Sequence, residues 1–249
     1  LAMVKNQFFL SHGEEKEEYR HTIMSEEARL REELAAEHGE GVVDWRIQFA
    51  EVFANNRGGF DVVLANPPYV SAIEFARRHR ATYRQDLNSL YRSSRGAYDL
   101  YVLFFERSLQ CLRFGGTLSF ITPHKYLAAK YATALREYIL EAANLLQLVD
   151  ISGMPVFEEA SVYPVLSFMQ KRRSRKQHEY GVSLLHPPQR TMASLDLASY
   201  RRVTLSSELL TLLPENIWGF LLSDHIELLM KLLADATPLA SIGSVNATT

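Results

Sequence analysis

The amino-acid sequence predicts an α/β fold with a mainly parallel sheet and flanking helices. Between residues 60 and 151, strand-like apolar segments alternate with segments of helical periodicity, in the order strand, loop, helix, strand, helix, strand. Such alternation is typical of parallel strands joined by crossover helices. The composition agrees, because 47% hydrophobic and 22% charged residues are ordinary for a globular chain of 249 residues.

The first strand is predicted at residues 60–65, where four apolar residues follow Asp61 and a Gly-Gly turn precedes the strand. This pattern is typical of a buried strand. The sequence Asn-Pro-Pro-Tyr at 66–69 must end it, because proline cannot donate a ladder hydrogen bond. Functional groups collect at the carboxyl ends of strands in open parallel sheets, so we expect a functional loop here.

The chemistry of this loop suits a planar amine. Asn66 offers a side-chain carbonyl, and Pro67 offers a backbone carbonyl on a stiff loop. Two adjacent acceptors can take both hydrogens of an exocyclic amino group and leave its lone pair poised for attack. Tyr69 adds a flat face on which a heterocycle could stack. The alternative is an ordinary strand-to-loop turn, because Asn-Pro is common in turns.

The next elements follow in chain order. A helix is predicted to begin with Asp99 as its N-cap and to end at the pair Gly115-Gly116, before a short buried strand at residues 117–121. A second amphipathic helix at residues 127–139 leads to a strand at 145–151.

A further strand is predicted within residues 152–170, where Pro164 indicates an edge strand or a bulge. The pattern then weakens to one strand near 182–185 and one helix near 224–234. At the other end, residues 1–40 are rich in Glu and Arg and predict a mostly solvated helix or helical pair. The chain therefore divides into a charged helical segment at 1–40, the alternating region at 41–176 and a connector at 177–249.

Composition narrows the classes of function. The net charge of −2 gives no global indication of nucleic-acid binding, so any such affinity must come from local patches. The single cysteine, Cys111, excludes an internal disulfide and a cysteine-rich zinc site, and no metal site is predicted. No apolar run approaches the roughly 20 residues that span a bilayer, and no signal-like segment opens the sequence. We therefore expect a cytoplasmic protein.

A local basic patch is predicted in residues 71–97, which we expect to be polar and irregular. Arginines and two tyrosines interleave there, and this mixture suits phosphate contacts combined with base stacking. A flexible solvated loop is the alternative. The candidate DNA-binding residues are Arg77, Arg78, Arg80, Arg84, Arg92 and Arg95.

The order of these segments resembles that in the catalytic domain of adenine-specific DNA methyltransferases. The likeness is to the large single-chain Type IIG restriction–modification and related phage-defence proteins, and it covers about residues 42–170. The matching segments are GGFDVVLANPPYV, YDLYVLFFERSLQCLRFGGTLSFITPHKYL, LREYIL and LVDISGMPVFEEASVYPVL. The resemblance implies a partial Rossmann-like fold that depends on S-adenosylmethionine, with double-stranded DNA as the partner.

The resemblance also implies the roles of site residues. The catalytic loop would be Asn66, Pro67, Pro68 and Tyr69, and Phe157 would supply a second aromatic face. A flipped adenine would lie between Tyr69 and Phe157, with its amino group held by Asn66 and the Pro67 carbonyl. The amino nitrogen would then accept the methyl group of S-adenosylmethionine.

The cofactor side of the site is less complete in the sequence. Asp44, Trp45 and Phe49 would line the adenine end of the cofactor pocket, although an aromatic beside a carboxylate is also ordinary at the edge of a core. Asn66 is a further candidate for cofactor binding. The family's glycine-rich turn has no acceptable match, because the only Gly-x-Gly at its spacing, 39–41, follows a charged helix. We therefore expect an internal part of a longer protein, inactive by itself, whose connector leads to a separate target-recognition domain.

Two alternatives stay open. A similar Asn-Pro-Pro-Tyr loop also serves enzymes that methylate a protein glutamine amide or an RNA guanine amino group. Cytosine methylation is less favoured, because that group usually has Ser or Asp at the position of Asn66. The alternative from another class is a non-catalytic nucleic-acid-binding or complex-forming module that has kept the loop and lost the cofactor site.

Overall fold

The computed structural model describes residues 1–38, 44–54, 58–79, 82–154, 156, 162–173, 180–188, 195–212, 214–235 and 237. The described part contains a six-stranded mixed sheet with helices packed on it. The helices are α1 (Ala2–Leu10), α2 (Gly13–His38), α3 (Trp45–Gln48), α4 (Ala50–Phe53), α5 (Ala72–Arg78), α6 (Tyr83–Leu90), α7 (Tyr101–Cys111), α8 (Thr133–Ala142) and α9 (Ile226–Asp235). The strands are β1 (Phe60–Ala65), β2 (Leu112–Pro123), β3 (Ala143–Asp150), β4 (Pro164–Lys171), β5 (Gly181–His186) and β6 (Arg201–Ser206).

The sheet combines parallel and antiparallel pairs in the order β1-β2-β4-β3-β5-β6. The pairs β1–β2 and β3–β5 are parallel, while β4 runs antiparallel to both of its neighbours and β6 runs antiparallel to β5. β1, β2, β3 and β5 therefore point the same way. The carboxyl ends of these four strands lie in a row along one edge of the sheet, an edge that runs across the strand direction. This is the geometry that the alternating sequence predicts.

β4 lies in the middle of the sheet, so the prediction that Pro164 marks an edge strand was wrong. The alternative, a bulge, is found in the β3–β4 pairing, but between Leu145 and Gln147 and not at Pro164. Pro164 is the first residue of the strand and pairs with Pro123, the last residue of β2. At a strand's first position, a proline interrupts no continuing ladder. The strand can therefore be central although its first residue lacks an N–H group.

The main core lies between the sheet and helices α7 and α8. The fully buried side chains of Tyr101, Phe105 and Leu109 on α7 face Leu118 and Phe120 on β2. Each large apolar side chain removed from water stabilises the fold by about 1.5–3 kcal/mol. This packing positions β2, whose carboxyl end borders the loop after β1.

Helix α7 is shorter than predicted. It begins at Tyr101 and ends at Cys111, and β2 starts at the next residue. The prediction that Gly115-Gly116 ends the helix was therefore wrong, since both glycines lie inside β2. Close approach of β1 explains Gly116, because a Cβ atom there would lie 2.9 Å from the carbonyl oxygen of Phe60. Asp99 is not the N-cap either, a position that Leu100 occupies.

β1 is an outer strand of the sheet. The expectation that this strand is buried was wrong for part of its length. Val63 and Ala65 pack on the main core, but Val62 is 55% exposed and Leu64 is 73% exposed. Alternate residues of a strand point to opposite faces. Val62 and Leu64 therefore mark a face of β1 that no described element covers.

Residues 71–97 also differ from the prediction of an irregular segment, because α5 and α6 occupy most of their described part. The charged segment at the start of the chain does form the predicted helical pair, α1 and α2. Lys5 joins this pair to α4 through ion pairs of 2.8 Å with Glu27 and 3.5 Å with Glu51.

The sheet continues beyond residue 176, where the sequence predicts a connector. β5 and β6 both belong to it, and Trp218 further along is fully buried in the main core. The Trp218 indole donates to the carbonyl oxygen of Leu210 at 2.8 Å, and its backbone N–H donates to that of Leu127 at 2.6 Å. The predicted boundaries and the role of residues 177–249 as a connector stay predictions. Within the described residues, no helix is long and apolar enough to cross a membrane.

Candidate active site

The predicted catalytic loop lies directly beyond the carboxyl end of β1. Ala65, the last residue of β1, pairs with Phe120 of β2, and Asn66 follows it. Asn66 and Pro68 are exposed, whereas Pro67 between them is buried. The loop therefore holds its rigid proline against the protein and presents the Asn66 amide at the edge of the sheet.

Tyr69 is anchored at both its hydroxyl and its ring. The hydroxyl donates a hydrogen bond of 2.9 Å to the carbonyl oxygen of Ile121, near the end of β2. The ring packs edge-to-face on Tyr101 of α7, with centroids 6.2 Å apart and planes at 83°. Burial raises the pKa of Tyr69 to about 12, so its hydroxyl stays a neutral donor at physiological pH.

Two backbone hydrogen bonds fix the far end of the loop. The Leu100 N–H donates to the Val70 carbonyl at 2.8 Å, and the Ala72 N–H donates to the Tyr98 carbonyl at 3.0 Å. The chain before α7 thus runs beside residues 70–72. Residues 66–69 are consequently held at both ends, by β1 on one side and by this pairing on the other.

Phe157 lies outside the described residues. The segment that contains it starts after Asp150, the last residue of β3, and ends at Pro164, the first residue of β4. Because β3 and β4 are antiparallel, both of these ends lie at the edge of the sheet that carries Asn66. The role of Phe157 as a second stacking face stays a prediction.

The structure does not bring the predicted cofactor residues together with Asn66. Asp44 caps α3 by accepting the Arg46 N–H at 2.7 Å. Trp45 stacks on Phe49 with centroids 5.6 Å apart, and Phe49 packs edge-to-face on Phe60 at 5.2 Å. Phe60 opens β1 and Asn66 follows its end, about 20 Å away along a strand that rises about 3.3 Å per residue, so the described contact of Phe49 lies at the end of β1 away from Asn66. A cofactor role for Asp44, Trp45 and Phe49 stays a prediction.

The arginines that follow the loop occupy different environments. Arg78, in the last turn of α5, forms an ion pair with Glu74, and Arg84 donates to the Gly96 carbonyl at 2.8 Å. Arg92 donates two hydrogen bonds to Glu141, at 2.8 and 3.1 Å. Arg77 and Arg95 are also exposed, and Arg80 lies outside the described residues.

A buried carboxylate fixes the turn that carries Arg92 and Arg95. Glu106 on α7 accepts the Arg92 N–H at 3.1 Å and the Ser93 N–H at 2.8 Å. It also accepts the Ser93 hydroxyl at 2.6 Å. A buried charge needs such compensation. Sequence patterns gave no indication of this role, because a glutamate on an amphipathic helix is ordinarily expected to be exposed, whereas Glu106 is buried.

Among the described residues, no cluster of three or more His, Cys, Asp or Glu side chains is arranged to hold a metal ion. The polar groups that the loop itself offers at this edge are the Asn66 amide, the carbonyl of Pro67 and the anchored phenol of Tyr69. This set suits an uncharged planar amine, since an amide oxygen and a backbone carbonyl both accept hydrogen bonds.

Parts of this chain are similar to known proteins. The Eco57I restriction-modification methylase family matches residues 2–157. The Type II methyltransferase M.PaeR7I of Pseudomonas aeruginosa is 32% identical over 143 residues, which are 57% of this chain and 24% of that protein. The Type II methyltransferase M.XhoI of Xanthomonas vasicola is 29% identical over 167 residues, which are 67% of this chain and 30% of that protein.

A solved structure, the type IIG restriction endonuclease BpuSI, aligns with 70% of this chain and 22% of its own, at 18% identity and a TM-score of 0.46. The chain spans a quarter to a third of the length of the two methyltransferase relatives, whose matched shares are 24% and 30%. The family match covers well over half of the chain and includes the loop at 66–69. The chain belongs to the Eco57I restriction-modification methylase family.

Proposed function

We propose that this chain is the base-binding part of an adenine-specific DNA methyltransferase in a restriction–modification or related defence system. It acts within a longer protein, here called the complete protein, which supplies the rest of the cofactor pocket and a target-recognition domain. The observation that carries the proposal is the loop after β1, where the exposed Asn66 amide, the Pro67 carbonyl and the anchored Tyr69 ring come together. The matches to Type II methyltransferases support it.

The loop would hold the target amino group by its two hydrogens. The Asn66 side-chain oxygen accepts one, and the Pro67 carbonyl oxygen accepts the other. Both acceptors would keep electron density on the nitrogen, so its lone pair could attack the methyl carbon of a sulfonium donor, whose carbon–sulfur bond would break to leave a neutral thioether. Because an amine of this kind loses its proton readily after methylation, no side chain with an unusual pKa is needed. Most of the rate acceleration comes from positioning.

The base must leave the DNA duplex to reach this loop. An extruded adenine would stack on the face of Tyr69, with Phe157 on its other side. Such stacking is worth about 1–3 kcal/mol per base and offsets part of the cost of unpairing. The hydroxyl bond to Ile121 and the Tyr101 contact hold the Tyr69 ring in one orientation before the base arrives.

S-adenosylmethionine would supply an electrophilic methyl group on a positively charged sulfur. The residues of the loop fit this donor. Asn66 and Pro67 offer uncharged hydrogen-bond acceptors, so they place no positive charge where the positively charged sulfur would approach the amine nitrogen. Asn66 would border the methyl group, and Asp44, Trp45 and Phe49 remain candidates for the adenosine end. The glycine-rich turn typical of such sites would come from the rest of the complete protein.

Double-stranded DNA is the proposed partner. The exposed Arg77 and Arg95 are the described candidates for phosphate contacts, because Arg78, Arg84 and Arg92 already bind groups within the chain. Arg80 remains a candidate from the sequence alone. A defence role against foreign DNA also places the protein in the cytoplasm.

The direct test compares substrate classes. The complete protein and its Asn66→Ala variant are incubated with labelled S-adenosylmethionine and, separately, with duplex DNA, structured RNA and a protein carrying exposed glutamines. We expect label in DNA alone. Loss of one positioned hydrogen-bonding group at a reacting centre costs about 100- to 1,000-fold in rate, and we expect a loss of that size in the variant. Label in RNA or protein, with none in DNA, would overturn the proposed substrate.

The second candidate is a non-catalytic DNA-binding module. The observation favouring it is the missing glycine-rich turn in this sequence. Titration calorimetry of S-adenosylmethionine into the complete protein separates the two functions. Binding with a micromolar dissociation constant supports the enzyme, whereas DNA binding without cofactor binding supports the module.

A further inference from the structure

A short hydrogen-bonded chain of side chains lies behind the catalytic loop. Tyr131 lies after β2 and before α8, far from the loop in sequence. Its hydroxyl is 2.8 Å from the hydroxyl of Tyr101 and 3.3 Å from a carboxylate oxygen of Asp99. A carboxylate can only accept, so Tyr131 donates to Asp99 and Tyr101 donates to Tyr131.

Both partners of Tyr131 belong to the segment that borders the loop. Asp99 and Leu100 lie beside residues 70–72, where the Leu100 N–H binds the Val70 carbonyl at 2.8 Å. Tyr101 is fully buried, and its ring meets that of Tyr69 edge-to-face. One hydroxyl group therefore contacts both Asp99, which pairs with Ser71, and Tyr101, whose ring packs edge-to-face on Tyr69.

Burial makes this arrangement stiff. The side chain of Tyr131 is partly buried and packs on the main core, and burial raises its pKa to about 12. Its hydroxyl is therefore a neutral donor at any physiological pH. In a partly desolvated setting, hydrogen bonds are electrostatically stronger than in water, and chains of them reinforce one another.

We propose that Tyr131 is a positioning residue for methyl transfer, which sets the orientation of the Tyr69 ring through Asp99 and Tyr101. It does not itself touch the loop in the described contacts. This inference rests on the proposed function, since it requires that Tyr69 stack on the target base. A small displacement of a reacting group can cost about 100-fold in rate. Removing the Tyr131 hydroxyl should therefore lower the rate of transfer without weakening cofactor binding.

The matched control is Tyr180, another partly buried tyrosine of the same core. Its hydroxyl accepts the Leu145 N–H at 3.2 Å, near the starts of β3 and β5 and so at the opposite edge of the sheet. Tyr131→Phe and Tyr180→Phe each remove one hydrogen-bonded hydroxyl from a partly buried ring. Any effect of lost stability alone should appear in both variants.

The experiment measures kcat and the KM for S-adenosylmethionine on target DNA, for the wild-type complete protein and both variants, normalised to active-site concentration. We expect Tyr131→Phe to lower kcat about tenfold, with KM within twofold of wild type and Tyr180→Phe near wild type in both. Equal kcat in the two variants, or a loss confined to KM, would overturn the inference. A wild-type protein that transfers no methyl group would instead overturn the proposed function beneath it.

A conservative pair of changes tests the acceptor end. Asp99→Asn keeps a side-chain oxygen that can accept the Tyr131 hydroxyl, whereas Asp99→Ala removes it. We expect Asp99→Asn to retain kcat within about threefold and Asp99→Ala to match Tyr131→Phe, because both break the same contact. An equal loss in Asp99→Asn and Asp99→Ala would show that the carboxylate charge, and not the chain of hydrogen bonds, is what matters, and would overturn the positioning role of Tyr131.

Discussion

The hydroxyl of Tyr69 donates a 2.9 Å hydrogen bond to the carbonyl oxygen of Ile121, which ties the loop at residues 66–69 to the end of the neighbouring strand. Ile121 belongs to β2, and Tyr69 follows β1, so the bond spans the two strands at the edge where Asn66 lies. It places the flat face of Tyr69 in a defined orientation. The following predictions start from this contact.

Substitutions at Tyr69 should separate anchoring from stacking. Tyr69→Phe loses one hydrogen bond worth about 0.5–1.5 kcal/mol, so we expect methyl transfer by the complete protein to fall about 2- to 10-fold. Tyr69→Ala also loses the stacking face, worth about 1–3 kcal/mol, and should fall about 10- to 100-fold further. Single-turnover rates on target DNA measure both. Equal rates for the two variants would exclude a stacking role.

The arginines should differ in their effect on DNA binding. Arg95 is exposed, so Arg95→Gln should weaken binding and reduce the slope of log K against log salt by about 0.9 if it contacts one phosphate. Arg92 already forms two hydrogen bonds with Glu141, and Arg92→Gln should leave that slope unchanged. Filter binding or anisotropy across a salt series measures the slopes. Equal reductions would mean that Arg92 exchanges Glu141 for phosphate.

The close contact between Gly116 and the backbone of β1 should leave no room for a side chain. A Cβ atom there would lie 2.9 Å from the Phe60 carbonyl oxygen, a backbone atom that cannot yield without moving β1. Overpacking of this kind costs about 1–3 kcal/mol. We expect Gly116→Ala to lower the melting temperature of the complete protein by several degrees and to lower activity. Gly13→Ala is the control, because the space around Gly13 is open and its φ of +62° would strain an alanine without any steric clash. A smaller shift for Gly116 than for Gly13 would contradict the expected clash.

Alkaline stability should depend on the tyrosines behind the loop. Burial raises the pKa of Tyr69 and of Tyr131 to about 12, above the value near 10 of an unfolded chain. The folded state therefore binds these protons more tightly. Their contribution is complete below about pH 10 and is lost as pH rises through about 12. The melting temperature should fall less steeply over that window in the Tyr69→Phe/Tyr131→Phe double variant, and parallel curves would contradict these pKa values.

Local sequence signals predicted β1 and the loop at residues 66–69 that follows it. Pro67 and Pro68 end the strand because a proline cannot donate a ladder hydrogen bond. This end can be predicted from the local sequence, without knowledge of the tertiary structure. The central position of β4 was not predicted. Pro164 shows only that one N–H donor is missing, and this does not indicate which strands pair with β4. The burial of Val62 and Leu64 was likewise overestimated. The exposure of a strand depends on which elements pack on its faces, and sequence periodicity does not indicate those elements.

The sequence also did not indicate where the hydroxyl groups of buried tyrosine rings lie in the fold. Tyr131 falls on the apolar stripe of a predicted helix, where periodicity counts it simply as core. Only the fold brings its hydroxyl to Asp99 and Tyr101. Helix α7 shows the same limit of local signals, because contact with β1 makes Gly116 part of a strand, although a glycine pair after an amphipathic segment usually ends a helix.

The position of the transferred methyl group tests the central claim most directly. DNA treated with the complete protein and isotopically labelled S-adenosylmethionine is digested to nucleosides and analysed by mass spectrometry, with the Asn66→Ala variant in parallel. The account predicts label on the exocyclic nitrogen of adenine and a loss of about 100-fold or more in the variant. Label on cytosine, or label on adenine that persists in Asn66→Ala, would contradict it.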